Sequence, residues 1–387
     1  MLISLQRRCR TGSLVRRVFL CILILGSMPG VFAMPQREVP GAGTETAETA
    51  KAVTDMRGRE VRLPEEIRRI IALDAGALRL VSYLDGIGRI AAVEDAGHGR
   101  EKSVHDFFFL ATYRLAFPEL RNLPSIGGAD NHEGIIAAEP DLIVCSSVDP
   151  VRLDQLQEVL GVPVFGVDID VELYDTERFY RQLETLGLVL GREARAEELI
   201  RGIGAALEDL EFRASRVEEP RRAYAGGMMY FGPADLLRTT GDFLPFDLAG
   251  AINVMPSNPA GNRQPYMTSL EDLITASPDY AFIDAANIRL SQSGFASSRK
   301  VLEEQVPAFR DRQVYSTLVY KYFGTNWENQ LINVYFAGKV LYPELYGDVS
   351  VNEKAREIWR LFFGVDLDFD AVVAAQKGGP GRVEWFD

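Results

Sequence analysis

The stretch EGIIAAEPDLIV, Glu133 to Val144, has a counterpart far downstream in EDLITASPDYAFI, Glu271 to Ile283. In both, a glutamate is followed seven residues later by Pro-Asp and then by an apolar run. Apolar residues before the proline fall at helical spacing: Ile135, Ile136 and Ala138, then Leu273, Ile274 and Ala276. Proline cannot continue a helix and pushes the residue before it toward extended geometry. The runs that follow, LIVCSS and YAFIDA, have the length and character of buried strands. Each copy therefore reads as a short helix, a sharp stop and a core strand. That is the αβ half of a parallel α/β layer, present twice.

Working outward, VTD and REVRL around Arg57-Gly58 predict a hairpin. RRIIAL, RIAAVE, LIVCSS and VPVFGVD read as strands, with ALRLVSYLDG and RLDQLQEVLG as helices between them. This β-α rhythm implies a parallel sheet with flanking helices. It stops between residues 176 and 217. There TERFYRQLETLGLVLG and REARAEELIRGIGAALEDLEFRASRV read as two amphipathic helices, the second with Ala194, Leu199, Ile203, Leu207 and Leu210 near a helical repeat. A helix of about 25 residues spans roughly 38 Å, the width of a small domain. After Pro220 the rhythm restarts with RRAYAGGMMYF, PFDLAGAINV, the second motif and QVYSTLV, then the aromatic-rich helix NWENQLINVYFAGKVLYPEL. The expected fold class is α/β: two Rossmann-like lobes with parallel sheets, joined by one long backbone helix. The expected bounds are 53–188 for the first lobe, 189–217 for the bridge and 218–387 for the second lobe.

Residues 1–33 read as a signal peptide. Five arginines precede the apolar run VFLCILILG, and Val31 and Ala33 stand at the small-residue cleavage positions. Residues 34–52 are small, polar and aperiodic, a flexible leader. The whole chain carries 42 basic and 55 acidic side chains. Removing the five signal arginines leaves 37 basic residues and a net charge of −18. That disfavours nucleic acid and anionic membrane as partners. Cys145 is the one cysteine outside the signal, so no internal disulfide forms, and its place in LIVCSS predicts burial.

VTDMRGREVRLPEEIRRII, the segment from SIGG through EPDLIV, GLVLGREARAEELI and SLEDLITASPDYAFI occur in this order over nearly the whole mature chain. In that order they resemble the periplasmic solute-binding proteins of ABC importers for ferric siderophores, haem and cobalamin, whose lobes are bridged by a rigid helix. The resemblance implies a periplasmic, monomeric receptor that meets the membrane only through its permease. It also implies that Glu133 and Glu271, matched by position in the repeated motif, dock to permease arginines. Their other reading is of helix N-terminal acids complementing the dipole.

Enzyme signatures are scarce: HExxH, GxSxG and GxxxxGK[ST] are absent. Gly86-Ile-Gly88 matches a dinucleotide fingerprint but follows a helix, the reverse of the required order, and reads as a helix C-cap at Gly86. His98, His105 and His132 all lie in the first lobe, so histidines from both lobes cannot converge on a bare zinc ion. No resident metal or cofactor is expected. Ligands of open α/β sheets bind outside the carboxyl ends of the strands. That rule selects Asp74, Ser146, Tyr230, Phe231, Tyr320 and Tyr322 as ligand-binding residues. His105, among aromatics in SVHDFFF, Arg238, in LLRTTGD, and Trp327 complete the set. The function expected is capture of an iron chelate or corrinoid between the lobes and delivery to the permease. The alternatives are an exported enzyme processing a chelate in the same cleft and a ligand-sensing subunit.

Overall fold

A computed structural model describes residues 51–94, 111–171, 173–229, 232 and 234–386. The segment read as a signal peptide, nearly all of the expected leader, and His98, His105, Tyr230 and Phe231 lie outside the described residues.

The described residues form one compact unit of two lobes. In the first lobe Ile70–Leu73, Leu142–Cys145 and Val164–Gly166 pair in parallel in that order. All three strands are buried along their whole length, as continuous apolar runs in a sheet covered on both faces should be. Ala52–Thr54 and Glu60–Arg62 form the predicted hairpin, with Gly58 at φ 79° in its turn. RIAAVE yields less strand than its pattern suggests: residues 87–89 form a 3-10 turn, and Val93–Glu94 pairs with Ser125–Gly127.

In the second lobe Arg222–Gly226, Tyr280–Asp284 and Val314–Thr317 are the parallel centre of a seven-stranded sheet. Its antiparallel edges are Arg238–Thr239 with Tyr266–Met267 on one side and Gly381–Arg382 on the other. The helix Glu193–Ala214 runs between the lobes. It buries Ala196, Leu199, Ile203 and Leu210, together with the stem of Arg195. Ala194 is exposed, so the buried stripe begins one residue later than the repeat suggests.

The repeated motif folds the same way twice. Asn131 caps the helix His132–Ala137 and Ser269 caps Leu270–Ala276. Glu139 and Ser277, the residues before Pro140 and Pro278, adopt φ 47° and 46°. They are left-handed rather than extended: reversal of the chain after the helix dominates over the pre-proline preference. Arg69 Nε donates to Ala138 O and Glu139 O, and Arg222 Nη2 donates to Ala276 O. An arginine at the start of the neighbouring strand thus closes the motif helix in both lobes. At the end of the helix Ala75–Tyr83 the left-handed residue is Asp85, φ 52°, not Gly86. Gly86 is small for another reason: its N–H donates to Val81 O, and a Cβ there would lie 2.4 Å from Val81 Cγ1.

Candidate ligand site at the strand ends

The first lobe offers a cavity of about 660 Å³ at the carboxyl ends of its strands. Asp74, Cys145, Ser146 and Ser147 line it from the sheet, and His132 and Arg152 from the flanking elements. Asp74 is held in an unusual conformation, φ 74° and ψ 163°, a region that side chains other than glycine rarely occupy. Its Oδ1 accepts from Gly76 N at 2.7 Å and Ala77 N at 2.9 Å, while its own N–H donates to Glu94 Oε2 at 2.7 Å. Burial pushes its carboxyl up to about 7, against the opposing pull of those backbone donors. Glu94 is also raised by burial. Cys145 is buried, as its apolar run implied.

The second lobe mirrors this with Asp284, at the end of Tyr280–Asp284. Its carboxylate accepts from Ala286 N at 3.0 Å and Tyr320 N at 3.4 Å, and burial pushes it up to about 7. Both acids therefore hold their protons more tightly in the folded chain than in the unfolded one, whose aspartates titrate near 4. Native protein then binds more protons between about pH 4 and 7, and stability falls as pH rises through 7. Each group contributes about 2 kcal/mol between pH 8 and 5.5. Thermal unfolding is expected several degrees higher at pH 5.5 than at pH 8, and Asp74→Asn with Asp284→Asn should flatten the profile. An equal slope in that double variant would refute the assignment.

Three aromatic residues assigned to the ligand are placed elsewhere. Trp327 has no exposed surface; its ring stacks on Phe179 at 4.6 Å, and its indole N–H donates to Val171 O at 2.8 Å. Tyr320 is buried against Phe243, with rings 4.9 Å apart. Tyr322 is buried at the lobe junction, its ring 5.7 Å from the Arg114 guanidinium. The strand-end rule fails here for a local reason. After Thr317 the chain first turns inward, burying Leu318, Val319 and Tyr320, before Phe323 emerges. Asn326, Asn329 and Asn333 donate from their amide groups to Val319 O and Leu318 O and hold it there. Arg238 is half-buried, and its Nη1 donates to Gly232 O at 2.8 Å. Ser146 is half-buried in the cavity wall. Glu133 and Glu271 are exposed and occupy the second position of their helices, one on each lobe.

Sequence reasoning missed Arg79, Arg114 and Glu328. Arg79 is fully buried between lobes and donates to Tyr322 O, Phe323 O and Thr325 O. Glu328 is also fully buried, accepts from Tyr83 Oη, and is raised by desolvation while Arg79 pulls it down. The available signal was an arginine with apolar neighbours on every side in ALRLVSY. An arginine so placed is enclosed and must find acceptors.

The chain is 22% identical over 341 residues to the molybdate-binding protein MolA of Haemophilus influenzae, covering 81% of this chain and 91% of that protein. The molybdate-bound structure of MolA superposes with a TM-score of 0.65 at 19% identity, over 82% of this chain and 99% of that one. A periplasmic solute-binding protein from Veillonella parvula gives 0.65 at 18%, over 84% and 98%. The nickel-bound CeuE of Helicobacter pylori gives 0.59 at 16%, over 84% and 98%. Residues 114–318, more than half of the chain, match the family model described as periplasmic binding protein. With two parallel-sheet lobes bridged by one long helix, the chain belongs to the periplasmic binding protein family.

Proposed function

We propose that this chain is the periplasmic solute-capturing component of an ABC importer. It holds an iron chelate of siderophore type, or a corrinoid, between its lobes and hands it to the permease unaltered. The observation that supports this ligand size is the cavity at the first lobe's strand ends, lined by first-lobe residues between Leu73 and Val159, which supplies one wall of the proposed site. At about 660 Å³ it suits an organic molecule of several hundred daltons, far larger than a bare ion. Burial raises the Asp74 carboxyl to about 7, so it carries a proton part of the time near neutral pH, which lowers the electrostatic cost of admitting an anionic complex. Glu133 and Glu271 provide matching acids, one per lobe, for a permease that docks to both lobes. The chain acts as a monomer, and its bridging helix keeps closure on ligand small.

A second reading is a tetrahedral oxyanion ligand, favoured by the sequence likeness to a molybdate-binding protein along most of its length. Titration of the mature chain with a ferric catecholate, a ferric hydroxamate, haemin, cyanocobalamin and molybdate, followed by tryptophan fluorescence, separates the two. One of the metal complexes is expected to bind at micromolar Kd or tighter, about −8 kcal/mol. Its mass should be unchanged on release. Molybdate binding tighter than every complex would select the oxyanion reading, and conversion of the ligand would make the protein an enzyme.

A further inference from the structure

Residues 321–325 form a tight hairpin, with an antiparallel bridge between Lys321 and Thr325 and a Tyr322 N–H donating to Gly324 O. By sequence the hairpin belongs to the second lobe. Its attachments run to the first. Arg79 donates to three of its carbonyls, Thr325 N–H donates to Ile169 O at 2.9 Å, and the adjoining Trp327 indole donates to Val171 O. Packing leaves no slack: a Cβ on Gly76 would lie 2.5 Å from Phe323 O, and one on Gly324 would lie 2.5 Å from Ile169 O. Gly76 donates to Asp74, which lines the cavity. The hairpin therefore sits against Gly76 and Ile169, which follow the strands Ile70–Leu73 and Val164–Gly166 at their carboxyl ends, and Gly76 lies two residues from Asp74 of the cavity wall.

At its tip stands Phe323, φ 45°, 55% exposed, its ring meeting that of Tyr322 edge-on. A bulky residue with positive φ is strained and persists only when its surroundings fix it. Here they fix it so that the residue stays more than half exposed on the hairpin's tip. We propose that Phe323 is a specificity-determining contact for an unsaturated or ring-bearing ligand such as a catecholate, porphyrin or corrin. Arg79 is the positioning residue that anchors this ring to the first lobe. The platform then stays with the first lobe when the second closes. Aromatic faces recognise such rings by stacking, and a tetrahedral oxyanion gains nothing from one. The ligand class rests on the chelate reading above, whereas the anchoring does not.

The test uses the mature chain, a ferric catecholate, haemin and cyanocobalamin as probes, and molybdate as control. Phe323→Ala is expected to weaken binding of the wild type's preferred complex at least tenfold, and Phe323→Trp to keep it within about threefold. The thermal midpoint should stay in place in both. Arg79→Lys keeps a charge but cannot fork to three carbonyls. It should weaken the same complex comparably and speed amide exchange at Tyr322 and Thr325 at least tenfold. In the unaltered chain those two amides should exchange as slowly as those of residues 78–82, a measurement that needs no variant. Unchanged affinity in Phe323→Ala, with the wild type binding a complex, would overturn the contact. Fast exchange at Tyr322 and Thr325 in the native chain would overturn the anchoring. If the wild type binds molybdate alone, the chelate reading and the ring contact both fall, and exchange still decides the anchoring.

Discussion

Trp327→Ala is expected to lower the unfolding free energy by about 4 kcal/mol, the loss typical of a fully buried large aromatic. The ring is enclosed by Phe179 and Tyr83 from the first lobe, although Trp327 belongs by sequence to the second. Removing it opens a cavity at the junction and leaves Val171 O without its indole donor. Trp327→Phe retains most of the apolar volume and loses the hydrogen bond, so its cost should be nearer 1–2 kcal/mol. Denaturant titration of both variants measures this directly. A loss below 1 kcal/mol for the alanine variant would show that the ring is not core and restore it as a candidate ligand contact.

The second large effect concerns transport. Reversing both motif acids, Glu133→Arg with Glu271→Arg, should abolish uptake in cells while Kd for the ligand changes less than twofold. Both side chains are exposed and lie on separate lobes, so neither supports the fold by packing. Their caps, Asn131 and Ser269, remain. Placing a cation in the first turn of a helix costs about 0.3–1 kcal/mol at each site, too little to unfold the chain. Exposed charges of this kind mainly steer docking and set its register, and salt weakens them. Each single reversal should leave partial uptake, because one lobe still engages. Normal import by the double variant would end the docking proposal, and so would loss of ligand binding in solution.

Much of the architecture was legible because its signals are local and repeated. The Pro-Asp motif marked the same helix-to-strand unit in each lobe, and the apolar repeat from Ala194 to Leu210 marked the bridge, although Ala194 itself is exposed. The candidate site was less legible. Asp74 and Ser146 line the cavity because the first lobe obeys the strand-end rule. Tyr320 and Trp327 do not reach the cleft, because three asparagines more than ten residues beyond Val314 draw the chain inward. Arg79 was hidden for a similar reason. Its acceptors are main-chain carbonyls some 245 residues away, which no local pattern announces. Long-range polar capture is set by three-dimensional closure, whereas helix and strand periodicity is set by neighbours.

Recombination at the long bridge would not yield two viable halves, despite the repeated units. The helix Trp327–Leu341 is enclosed from Trp327 through Gly338, with Leu331, Ile332 and Val334 fully buried and the amides of Asn329 and Asn333 bonded to the surrounding chain. It packs beside Leu244–Ala249 in the second lobe and places Trp327 and Glu328 against Tyr83 and Phe179 of the first. A chimera that took its first lobe from one relative and the remainder from another would bring a mismatched plug to that socket. Exchange between lineages is therefore constrained to pieces in which Arg79, Tyr83 and Phe179 travel with the segment from Tyr322 to Trp327.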